Sequence, residues 1–92
     1  MPASSETTVA LPADVDLHAR PAATFVRAAM GYEASVTIVA GEREADAKSL
    51  LSVLGLGAKG GTTVRLRADG PDARAAVDGL AELLAGLVET PG

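Results

Sequence analysis

A single histidine, His18, stands in the run Leu17-His18-Ala19-Arg20-Pro21-Ala22-Ala23, just where a helix-forming segment begins. These residue types suit phosphoryl transfer. Neutral imidazole attacks phosphorus and later leaves as easily as it arrived, whereas serine would hold the group too firmly. A helix start exposes unpaired backbone N–H groups and the positive end of the peptide dipoles, so it holds an anion without special machinery. The amides of Ala19 and Arg20 are therefore the candidate phosphate-binding backbone. An arginine in the first turn meets the dipole with the wrong sign unless a negative partner arrives, which makes Arg20 the candidate phosphate stabiliser. A loose phosphoryl-transfer transition state needs this kind of alignment and spread positive charge. Pro21 fixes φ and lacks a donor where none is needed.

The elements that must hold these groups follow from periodicity. Thr7, Val9 and Leu11 alternate with Thr8 and Ala10, which predicts a half-buried strand ending before Pro12. Ala22, Phe25, Val26 and Ala29 recur at helical spacing over 19–30, with Gly31 as the stop. Val36, Ile38 and Ala40, a Gly41-Glu42 turn, then Ala45 and Ala47 read as a hairpin. Ser49 suits the N-cap of a short helix that the glycines at 55, 57, 60 and 61 end, and Val64, Leu66 and Ala68 form a last strand. Pro71 takes a first-turn position and Asp72 complements the dipole of a final helix whose apolar face is Ala73, Ala76, Val77, Leu80, Leu83, Leu84 and Leu87. The order is βαββαβα. It predicts an α+β fold of two layers, a four-stranded, mostly antiparallel sheet covered on one face by three helices. The whole of 1–92 is expected to form one domain, with 1–6 and 89–92 as flexible tails.

Leu50, Leu51 and Leu54 cannot all face inward on so short a helix, and two of them are expected to form an apolar docking patch beside His18. Arg27, on the first helix, would flank that surface and steer acidic partners.

Composition closes other routes. With no cysteine and one histidine, neither thiol chemistry nor a Cys/His metal site is available, and no cofactor is implied. A net charge of −4, with only Phe25 and Tyr32 aromatic, lacks the footprint of a nucleic-acid binder. No apolar run approaches membrane-spanning length, and 1–6 is not a signal peptide; a cytoplasmic protein with no membrane insertion is expected. An apolar fraction of 48% supplies one modest core.

Taken with Lys48-Ser49-Leu50-Leu51-Ser52-Val53-Leu54, the following Leu56-Gly57, and Gly60-Gly61 before a strand, the histidine run resembles HPr, the histidine-containing phosphocarrier family of the bacterial phosphoenolpyruvate-dependent phosphotransferase system. The likeness runs along nearly the whole chain. It implies an HPr-like open-faced sandwich and a carrier rather than an enzyme. By the same resemblance, His18 would take a phosphoryl group on Nδ1 from phosphorylated enzyme I and pass it to a histidine of a IIA domain for sugar uptake. The short helix would contact both partners, and Ser49 matches the position where some family members are phosphorylated by an ATP-dependent serine kinase. The alternative is a regulatory HPr-like binding module acting through Ser49 and the Leu50/Leu51/Leu54 patch on a kinase or transcriptional regulator. A monomer is the default for a carrier that docks alternately with two partners. One position departs from the family: Asp16 stands where glycine is common, with Asp14 nearby. Carboxylates there oppose an incoming phosphate unless they point away, and Asp16 could also orient the His18 ring.

Overall fold

Alternation along each strand decides which side chains meet the helices. In the computed structural model, which describes residues 3–87, β1 (Ser4–Ala10), β2 (Ser35–Ala40), β3 (Arg43–Asp46) and β4 (Thr63–Asp69) form one sheet in the order β1-β4-β2-β3. Every pairing is antiparallel. β4 therefore lies between β1 and β2, which run parallel to each other. Val36, Ile38, Ala45, Val64, Leu66 and Ala68 point into the core, while Glu6, Thr8, Arg65, Arg67 and Glu44 point to the open face. Two ion pairs stitch that open face, Arg65 to Glu6 at 3.3 Å and Arg67 to Glu44 at 3.7 Å. Both are half-exposed and contribute little to stability.

Three helices cover the other face: α1 (Ala19–Ala29), α2 (Leu50–Gly55) and α3 (Ala73–Ala85). The buried set of α1 is Ala22, Phe25, Val26 and Ala29, as the spacing predicts. Fully buried alanines at 22, 29 and 76 let the layers approach closely in a core with one phenylalanine and no tryptophan. The element order and helical layer agree with the sequence.

Several local expectations are corrected. Ser4, Ser5 and Glu6 are not tail: they belong to β1, opposite Asp69, Ala68 and Arg67. The second expected tail, 89–92, lies outside the described residues. Gly31 follows the end of α1, as expected of a stop, but not in a left-handed turn: among the described residues positive φ occurs only at Gly41, Gly57, Gly61 and Gly70. The helix instead tightens, with Gly31 N–H on the Ala28 carbonyl at 3.1 Å and Tyr32 N–H on that of Ala29 at 3.2 Å. Gly55 lies within α2, and Gly57, at φ 62°, makes the turn that leaves it. Leu83 and Leu87 are half-buried rather than part of the sealed face.

Asp72 departs furthest. Pro71 and Asp72 precede α3, and the Asp72 side chain caps nothing on its own helix. Its two oxygens accept the N–H groups of Glu33 at 2.9 Å and Ala34 at 2.8 Å, 39 and 38 residues away, which clamps the start of α3 to the entry of β2. Gly70 allows the approach: with φ at 148°, a Cβ there would lie 2.7 Å from the Ala34 Cα.

The Glu33 and Ala34 N–H groups hold the Asp72 carboxyl below its ordinary value of 3.8, with the Lys48 charge a lesser cause. A depressed carboxylate supports folding at pH above about 4, and that support fades as pH falls through the native value. Asp72→Asn should therefore be less stable than the parent at pH 6. The gap should narrow towards pH 3, read as denaturant midpoints at the two pH values.

Candidate functional site

His18 is the N-cap of α1, in extended conformation with φ −121° and ψ −169°, and it is exposed. Its own N–H is spent on the Asp16 carbonyl at 2.9 Å, closing a three-residue turn over Leu17. No residue other than glycine has positive φ among the described residues, so this is the unstrained inverse γ form. The His18 carbonyl accepts the Ala22 N–H at 2.9 Å, and Pro21 has none to give. Two first-turn donors therefore stay free by construction, those of Ala19 and Arg20. No acidic residue occupies that turn and the His18 ring makes no capping bond. The histidine thus presents its ring beside a helix mouth with two vacant N–H groups.

Leu17 anchors this arrangement. Its side chain is 1% exposed, and its N–H donates to the Ala58 carbonyl at 2.9 Å. Arg20 is exposed and belongs to none of the ion pairs found among the described residues, so its guanidinium is available to an anion. Its carbonyl accepts the Thr24 hydroxyl at 3.1 Å. Asp16 does not engage the ring: its Oδ1 accepts the Gly60 N–H at 2.7 Å. Asp14 is exposed.

Ser49 is the N-cap of α2, and its hydroxyl accepts the Ser52 N–H at 3.4 Å. Two links fix the direction of α2. At its start, Lys48 Nζ donates to the Tyr32 carbonyl just beyond the end of α1, at 2.7 Å. After its end, Ala58 meets Leu17 just before the start of α1. The helix therefore runs antiparallel beside α1, whose length is about 16 Å at 1.5 Å per residue.

Leu50 (41% exposed) and Leu51 (84%) are open to solvent, while Leu54 packs partly against the core. Leu50 opens α2 at the end that Lys48 ties to Tyr32, and Leu54 lies towards the end that leads to Ala58. Arg27 is exposed in the last turn of α1, where a cation also suits the helix dipole. Sequence reasoning missed Met30, 65% exposed at the same end of α1. Its position one residue past the buried stripe was the available signal. Among the described residues no cluster of potential metal ligands occurs and no helix is long and apolar enough to cross a membrane.

A family model described as the PTS HPr component phosphorylation site matches residues 5–86. The phosphocarrier protein HPr of Streptomyces coelicolor is 49% identical over 77 residues, 82% of this chain and 83% of that protein. That of Vibrio cholerae is 40% identical over 79 residues, covering 86% and 93%. A crystal structure of HPr from Bacillus anthracis superposes with a TM-score of 0.84 at 29% identity, over 89% of this chain and 98% of that one.

The Ser49 bond to Ser52 is long, so its contribution falls at the weak end for an N-cap. Ser49→Ala should cost about 0.5 kcal/mol, measured by denaturant unfolding.

Proposed function

The chain belongs to the HPr family, the phosphocarriers of the phosphotransferase system, and from that premise we propose that His18 is its phosphoryl acceptor and Arg20 the side chain that stabilises the transferred group. The single observation that carries this reading is the exposed imidazole at a helix mouth where the Ala19 and Arg20 N–H groups have no partner. In the proposed step the lone pair of one His18 ring nitrogen, Nδ1 by family resemblance, bonds to phosphorus as the donor's bond breaks, and that bonding pair stays with the donor. The equatorial oxygens then lie where two amides and a guanidinium offer positive charge. The reverse exchange returns the ring to its starting state.

The proteins of the phosphotransferase system are the family's partners. For this chain the proposed donor is phosphorylated enzyme I and the proposed acceptor a histidine of a IIA domain in a sugar-uptake relay. Arg27, Leu50, Leu51 and Leu54, all along α1 and α2, form the proposed docking face, with Ser49, the N-cap of α2, as the proposed target of a serine kinase. A monomer working in the cytoplasm suits a carrier that offers one face to two partners in turn. The regulatory-module reading gains no observation of its own from a site with both vacant amides and the imidazole in place.

Incubation with phosphoenolpyruvate and enzyme I should add one acid-labile phosphate, seen by mass spectrometry. His18→Ala should abolish it, and Arg20→Ala should slow its appearance by about tenfold or more. A label persisting in His18→Ala would end the assignment. Leu51→Ser should leave the folding free energy nearly unchanged, within about 0.5 kcal/mol by denaturant unfolding. It should raise the enzyme I concentration giving half-maximal phosphorylation about tenfold.

A further inference from the structure

Asp16 joins two things that the carrier reading treats separately, the presentation of His18 and the loop leading into β4. Resting on that reading, we propose that Asp16 is a positioning residue: its carboxylate latches the histidine turn to Gly60 and so sets where the ring stands relative to the free amides of Ala19 and Arg20. The observation is one residue bonded in both directions. Its carbonyl accepts the His18 N–H at 2.9 Å, while its Oδ1 accepts the Gly60 N–H at 2.7 Å across 44 residues of chain. Any tilt of the Asp16 peptide therefore turns the histidine.

Around this latch the contacts are backbone to backbone. Leu11 N–H meets the Thr62 carbonyl at 2.9 Å, Gly61 N–H reaches the carbonyls of Leu11 at 3.1 Å and Pro12 at 3.2 Å, and Leu17 N–H meets Ala58 at 2.9 Å. These tie down the ends of the segment from Leu11 to Leu17. Between them, Asp14 is exposed, and the Asp16 side chain supplies the remaining crossing. Gly60 is shaped for its part. A Cβ there would lie 2.8 Å from the Ala13 carbonyl carbon and 2.9 Å from the Pro12 oxygen, so only glycine brings its N–H this near without moving the loop. A bond from an ionised carboxylate to a backbone N–H is among the stronger kinds. It also commits one Asp16 oxygen to the loop rather than to the ring. A glycine at position 16 would carry neither the latch nor the negative charge, so latch and charge are separable by substitution.

The experiment compares single-turnover phosphorylation by enzyme I and phosphoenolpyruvate in the parent, Asp16→Ala, Asp16→Asn and Asp16→Glu, alongside hydrogen exchange at the Gly60 amide. Asp16→Ala should expose the Gly60 amide to exchange and lower the saturating rate about tenfold, with the half-saturating enzyme I concentration unchanged. The amide oxygen of Asp16→Asn can accept the same N–H without the charge, and should restore both protection and rate to within about threefold of the parent. Asp16→Glu keeps the charge but misplaces the acceptor by a methylene, and should behave like Asp16→Ala. Equal rates in the parent and Asp16→Ala would overturn the proposal. So would faster transfer in both Ala and Asn variants, which would make Asp16 a charge that merely repels phosphate. If Asp16→Ala fails to fold, the Asn and Glu pair decides alone: rate kept in Asn and lost in Glu supports the latch, and the reverse overturns it. Phosphate found on a His18→Ala protein would sink the carrier reading by itself, leaving the exchange result at Gly60 to judge the contact.

Discussion

The site depends on the burial of one leucine immediately before its histidine. With the Leu17 side chain sealed and its N–H held by Ala58, His18 has no freedom to retreat into the core or to continue the loop. A polar ring follows a fully buried neighbour in extended conformation, so it must face water, and the helix must begin at the next residue. Pro21 completes the constraint: it fixes the first turn while removing a donor that would otherwise compete for the same anion. The reactivity assigned to the ring is a property of this backbone path as much as of imidazole.

The rest of the molecule fastens that path at a distance. Asp72 holds the entry to β2, and Lys48 holds the Tyr32 carbonyl beside it, so the far end of α1 is tied to the starts of both α2 and α3. Arg43 reaches from the hairpin to the Gly55 carbonyl at 3.1 Å, closing the last turn of α2. These are a few polar contacts laid over an apolar core, and each holds an end of a helix. They fix helix ends, where apolar packing is least directional.

What could be read from the residues alone was whatever rests on period. The α1 stripe, the alternating strands and the Ser49 cap are local patterns, and each is found where it was expected. Contacts from side chains to distant backbone were not legible. The carboxylates at 16 and 72 each sit where a nearby helix start offers a plausible use, and each serves instead a loop 38 to 44 residues away. The strand character of Ser4, Ser5 and Glu6 was hidden for a related reason, since small and charged residues on a sheet edge carry no apolar alternation and acquire their structure from β4. The placement of α2 beside α1 needed tertiary links that no spacing rule contains. For the chemistry, the motif named the reactive ring, and only the geometry showed which backbone donors remain unspent beside it.

Gly79 interrupts α3 at a point where alanine would make a better helix, because the hydroxyl of Tyr32 occupies the space a Cβ would take. The chain has no other tyrosine and no tryptophan. Excited at wavelengths that phenylalanine does not absorb, it emits from one phenol lodged against one helix, and that signal should change if α3 leaves its seat. A protein without tryptophan thus carries its own optical gauge of tertiary order, set at the end of α1 remote from the histidine.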